Sequence, residues 1–262
     1  MTKKWISAAL AAALCMSAAF AAAEEGSLKD FTGRLKGAAV QAEATAEPGV
    51  EQEEDAGSFG RPVKLDDPFF EKVRSSAFMR EDKYSKEANV MIEVKNVSGH
   101  TLYPRRASIA ALNAAGEIVE EETYSSCAPD KVENGESMFV WEWFYGFDTP
   151  LDEIASFEVT VEAETSSYTE YQKIDAQGAV MDGIVYALVE NTLDTDIYGI
   201  SAVIAIDNDE GTLLDVCEVG TGNAAGVFPG STLILRANAR DYANDTYLDE
   251  GSATVYALYE LD

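Results

Sequence analysis

Asn89-Val90-Met91-Ile92-Glu93-Val94 alternates in the two-residue period of a β-strand, stops at Asn96, and runs into a polar turn at Ser98-Gly99-His100 before Leu102-Tyr103. Ninety-five residues later the chain writes it again: Ile184 to Glu190 stops at Asn191, turns near Asp194-Thr195-Asp196, and resumes at Ile197-Tyr198. Without a gap, Val90, Val94, Asn96, Tyr103, Ala107, Ile109, Ala110, Asn113, Gly116, Val132 and Gly135 meet identical residues at Val185, Val189, Asn191, Tyr198, Ala202, Ile204, Ala205, Asn208, Gly211, Val227 and Gly230. A two-residue slip then aligns Leu151-Asp152-Glu153 with Leu248-Asp249-Glu250. One unit of about 100 residues is therefore present twice.

Each copy carries strand signals and little helical periodicity. Ala107 to Leu112 and Ser201 to Ile206 each end in a Gly-containing hairpin, Asn113-Ala114-Ala115-Gly116 and Asn208-Asp209-Glu210-Gly211, that leads into Ile118-Val119 and Leu213-Leu214. Asn134-Gly135 and Pro229-Gly230 launch Met138 to Phe144 and Thr232 to Ala237, while Ile154 to Val161 and Ala253 to Tyr259 close the units. Phe70 to Phe78 and Tyr171 to Val180 supply first strands. About seven short strands in about 100 residues is the rhythm of an immunoglobulin-like β-sandwich, with an OB-type or other small barrel as the rival. The expected fold class is all-β: two tandem immunoglobulin-like β-sandwich domains, 65–165 and 166–262.

The repeated unit also resembles the bacterial exported Ig-like domains of the FxLYD type. Val94-Lys95-Asn96-Val97-Ser98 with Leu102-Tyr103, and Val189-Glu190-Asn191-Thr192 with Ile197-Tyr198, carry the likeness. The namesake string departs, reading Ile109-Ala110-Ala111-Leu112-Asn113 and Ile204-Ala205-Ile206-Asp207-Asn208. The resemblance spans both copies, implies export and an Ig-like sandwich, and implies no catalytic residue.

Ahead of the copies, Lys3-Lys4 precede an Ala-rich apolar stretch from Trp5 to Ala23 that ends in small-x-small triplets, the pattern of a secretory signal peptide over 1–23. The rival reading is a retained anchor, against which Glu24-Glu25 follow at once. Cys15 reads as an ordinary residue of the apolar stretch. Residues 24–64 are rich in Gly, Ala, Glu, Thr and Gln, include the run Glu51-Gln52-Glu53-Glu54-Asp55, and read as a disordered acidic linker. The expected location is secreted, either extracellular or in the cell envelope. With 47% hydrophobic and 10% aromatic residues, the chain can bury a core despite a formal charge of −28. Such a charge excludes nucleic acid and anionic membranes as natural partners.

The usual parts of an enzyme are missing. His100 is the only histidine, placed in a turn, and completes neither a triad nor a zinc site. No cofactor is expected. No metal is expected either: the nearest approaches to a calcium loop use Asp207 and Asp209, or Asp241 and Asp245. The first puts its glycine one place early and lacks the closing Glu, and the matching hairpin in the other copy carries no acids. Three states stay open for Cys127 and Cys217: one bridge between the copies, bonds to another molecule, or two thiols.

The segment Phe139-Val140-Trp141-Glu142-Trp143-Phe144-Tyr145 is the outstanding local feature. A strand there points Phe139, Trp141 and Trp143 to one side. The repeat places Arg236 and Asn238 opposite the two tryptophans, which predicts an open face. Trp141, Trp143 and Tyr145 are therefore the candidate binding residues of a non-catalytic binding or structural module. The alternatives are a carbohydrate-binding module that uses the Trp pair, with cell-wall glycan as partner, and an assembly scaffold for another envelope protein.

Overall fold

A computed structural model of the protein describes residues 68–81, 83–146, 148–222 and 226–261. The expected signal peptide, linker and Cys15 lie outside them. Among the described residues there is no α-helix, and none is long and apolar enough to cross a membrane. The chain is all-β, and its sheets are antiparallel and curled.

The first half lays down β1 (Phe70–Glu81), β2 (Lys86–Asn96), β3 (Tyr103–Leu112), β4 (Ile118–Ala128), β5 (Ser137–Tyr145) and β6 (Ser156–Glu164), paired in the order β1-β2-β5-β4-β3-β6. β4 makes the sheet curl: its body pairs with β3, while Ser126–Ala128 pair with β5. β2 and β5 thereby turn Val90, Ile92, Val94, Met138, Val140 and Phe144 onto Ile109, Ala111, Phe157 and Val161 of β3 and β6. The alternation of β2 and β5 gathers these apolar side chains on one face, which in β5 also carries the half-buried Glu142.

The second half contributes β7 (Tyr171–Ile174), β8 (Ala176–Met181), β9 (Ile184–Glu190), β10 (Tyr198–Asp207), β11 (Leu213–Gly220), β12 (Thr232–Asn238), the two-residue pair β13 (Arg240–Asp241) and β14 (Thr246–Tyr247), and β15 (Glu250–Glu260). Their order is β11-β10-β15-β8-β9-β12, with β7 also on β15. The segment expected as one strand over Tyr171 to Val180 is broken at Asp175, because β7 pairs with β15 and β8 with β9. The closing strand of the first half starts at Ser156 rather than Ile154. A 3-10 turn at Leu151–Glu153 precedes it and sinks Ile154 into the core.

The repeat has a physical centre. Asn96 is fully buried, and its carboxamide Nδ2 donates to the carbonyls of His100 at 2.8 Å and Val132 at 2.9 Å while Oδ1 accepts the Ser98 amide at 3.0 Å. Asn191 does the same: Nδ2 donates to Thr195 at 2.9 Å and Val227 at 2.7 Å, and Oδ1 accepts the Leu193 amide at 3.0 Å. Each Asn also accepts, on its own carbonyl, the amide of a left-handed glycine, Gly135 or Gly230. One side chain thus ties the end of a strand to two loops, and the bridges Leu102–Val132 and Ile197–Val227 close beside it. An apolar residue there would orphan buried backbone groups.

Asn96→Ala and Asn191→Ala should each cost about 3 kcal/mol or more, since each leaves several buried groups unpaired at roughly 1–3 kcal/mol apiece. Asn113→Ala, on an exposed hairpin, should cost less than about 1 kcal/mol. Urea unfolding checks this; a loss below about 1 kcal/mol at either buried Asn would refute the assignment.

Candidate functional site: an aromatic groove between the two halves

β5 alternates between two environments. Val140 and Phe144 enter the core of the first half, whereas Phe139 and Trp141 face the second half. Register extends that outward face into rows: Arg74, Glu93 and Phe139; Ser76, Met91 and Trp141; Phe78, Asn89 and Trp143; Arg80, Glu87 and Tyr145. The second half covers the first two rows. Met91, Ala128 and Phe139 pack with Val203, Ala205, Leu213 and Val216, and Tyr242 and Tyr256 lie against them. Phe139 meets the Tyr256 ring at 5.7 Å.

Charges frame this apolar contact. Arg74 donates from Nε to Glu93 at 2.6 Å and from Nη1 to Asp207 at 2.6 Å and the Gly211 carbonyl at 2.8 Å, so one guanidinium holds both halves. Lys173 pairs with Glu133 at 3.0 Å and also with Glu136. On the other flank, Asp245 accepts from Arg80 at 2.6 Å and Arg240 at 2.5 Å.

Past this contact the halves part, leaving a groove of about 470 Å³. Asn89, Trp141 and Trp143 form one wall, and Asp215, Asn238, Arg240, Tyr242 and Tyr247 the other. Trp143 is 58% exposed, is met edge-on by Tyr145 at 5.9 Å, and donates its indole N–H to Glu87 at 2.8 Å. Arg240 stacks on Tyr242 and Tyr247, 5.4 and 5.7 Å from their ring centres. Indole and phenol rings held this way present flat apolar area at little entropic cost.

Two polar groups lie at the base. Asn89 is 6% exposed, and its carboxamide, which keeps contact with solvent, has no hydrogen-bond partner among the described residues; across the groove Arg240 Nε is buried without one. Asp215 is buried and accepts the Arg240 amide at 3.1 Å. Burial pushes its carboxyl up to about 6, against the pull of the Arg240 and Val216 amides and the Arg240 charge.

The candidate residues fare differently. Trp143 and Tyr145 stand in solvent, but Trp141 is half-buried because the second half reaches over it, so the open pair expected from the repeat is one open and one partly covered tryptophan. Arg236 and Asn238, their counterparts in the second half, are exposed. The acidic candidates do not converge: among the described residues no three His, Cys, Asp or Glu gather closely enough to hold a metal ion. Asp207 and Asp245 are engaged by arginines, Asp241 accepts the Ala243 and Asn244 amides of its own turn, and Asp209 is exposed on a hairpin. Cys127 and Cys217 are both free thiols. Each packs against the core of its own half, and burial pushes them up to about 11 and about 12. His100 is exposed, and its backbone carbonyl rather than its ring serves Asn96.

Asn89, Asp215, Arg240, Tyr242 and Tyr247 escaped the sequence reading. Asn89 had a signal: it sits where the other copy has Ile184. No protein-family model and no curated protein matches the chain.

Asp215 predicts a pH dependence. Its carboxyl is raised in the folded state, so its contribution to stability is full below its unfolded value and is lost as pH rises through about 6. Asp215→Asn keeps an acceptor for the Arg240 amide and should be more stable than the parent at pH 7.5 by up to roughly 3 kcal/mol, the advantage vanishing near pH 4. Thermal unfolding across pH 4–7.5 reads it; parallel curves for the two proteins would contradict it.

Proposed function

We propose that this is an exported, non-catalytic recognition module of two tandem Ig-like sandwiches, and that the groove beside Trp143 is its ligand site. The observation that carries the reading is the aromatic wall: Trp143, 58% exposed and held by Tyr145 and Glu87, beside Asn89, whose solvent-reached carboxamide has no hydrogen-bond partner among the described residues. A carboxamide in a groove with no partner in the protein is free to bond to what enters it. Flat rings above and amide donors and acceptors below suit a polar ring, which makes a neutral glycan the ligand class of choice. The strong negative charge argues against an anionic polysaccharide. Export rests on the leader pattern of residues 1–23 and on the likeness to exported Ig-like units.

The chain from Glu24 onward should bind at least one neutral polysaccharide saturably on a cell-wall and glycan panel. Trp143→Ala and Asn89→Ala should each weaken it by at least about tenfold, the effect of losing about 1.4 kcal/mol. Tyr168→Ala, at an exposed ring outside the groove, should change nothing. Equal behaviour of parent and groove variants, bound or unbound, would overturn the proposal.

A further inference from the structure

The two halves differ at one seam. In the second half, β15 is paired on one side with β10, and its other side is occupied by β7 at Ala257–Glu260 and by the end of β8 at Glu250–Gly251. Its first-half counterpart is β6: Val159 lies opposite Ile109 as Val255 lies opposite Ile204. Among the described residues β6 pairs only with β3, so its outer edge has no strand. The difference reaches the first strand. Ala77 lies opposite Val90 and Val180 opposite Val185, equivalent places, but Val180 is 7% exposed while Ala77 is open and Met79 beside it is 40% exposed.

Two clefts run along this open seam. One, of about 480 Å³, lies between Phe69, Phe70 and Lys72 and the β6 segment Glu158–Val161; the other, of about 320 Å³, lies between Ser75, Ala77 and Met79 and the segment Ile154–Phe157. Their walls include Val90, Val94, Phe157, Val159 and Val161, the apolar side of the first core. The outward row of β6 is different: Glu158, Thr160 and Glu162 are exposed, and neither glutamate has an ion-pair partner among the described residues. A bare strand edge offers backbone donors and acceptors to an added strand.

We propose that the outer edge of β6 is a docking site for an extended segment of a partner protein, added as an antiparallel strand, with apolar residues on alternate positions and lysine or arginine between them. The apolar residues enter the seam as the chain's own β7 and β8 do in the second half. The cations meet Glu158 and Glu162 on the outward row. The pattern follows from strand periodicity: one parity of the incoming strand faces Val159 and Val161, and the other faces the acids.

The test uses the purified protein in 0.15 M salt with three synthetic ten-residue peptides: alternating valine and lysine, alternating valine and glutamate, and a block peptide of five lysines followed by five valines. Amide hydrogen exchange across Phe157–Ala163 is followed by NMR. At ten times its Kd, the alternating lysine peptide should slow alternate β6 amides by about tenfold, since protection scales as one plus the ratio of free ligand to Kd. The other two should leave them unchanged, and a Glu158→Lys/Glu162→Lys variant should switch the preference to the glutamate peptide. The proposal is overturned if the block peptide protects β6 equally, if the preference does not switch, or if β6 amides in the free protein are already as protected as those of β15 at Ala257–Glu260. That last result would mean the chain fills its own edge.

Discussion

The contact between the outward face of β2–β5 and the outward face of β10, β11 and β15 governs what the rest of the surface can be. Met91 and Phe139 cannot stay in water at low cost, and Val203, Ala205, Leu213 and Val216 are the area that covers them. Beside the row of Trp143 the halves leave space, and the aromatic face forms one wall of a groove that β11 lines at Asp215–Cys217. Arg74, Lys173 and the Arg80–Asp245–Arg240 set border the apolar contact with ion pairs that lock its orientation. Partly exposed pairs of this kind add little energy singly; their value lies in fixing one geometry out of many.

The two copies keep what makes each half fold and differ in what each half meets. Asn96 and Asn191 carry the same hydrogen bonds to the same places, as do the hairpin asparagines Asn113 and Asn208. The outer positions have drifted apart: Trp141 against Arg236, Trp143 against Asn238, Asn89 against Ile184. A repeat constrained only inside leaves its surfaces free to specialise, and both the groove and the outer edge of β6, unpaired among the described residues, lie at such unshared places.

This division sets which features are legible in the sequence. The strands around Asn96 and Asn191 were legible because local alternation, a stopping Asn and a following glycine turn all express one short-range rule. The all-β class followed from them. The break at Asp175 was not legible, since it depends on which neighbour β7 finds and not on its own residues. Trp143 and Tyr145 could be picked out because a strand rarely carries so many rings. Their opposite wall, Asp215, Arg240, Tyr242 and Tyr247, is distant in sequence and polar or ordinary in composition, so only the packing of the halves brings it to the site. For the same reason the burial of Trp141 could not be separated from the exposure of Trp143 by pattern alone.

The measurement that bears most directly on this account is backbone ¹⁵N relaxation of the two halves, residues 70–164 and 171–260, compared in one sample. If the apolar contact and its ion pairs hold the groove in a single geometry, amides of both halves report one overall correlation time and one diffusion tensor. Two distinct, shorter correlation times would show halves that move independently, and a groove between them could then not be the preformed site described above.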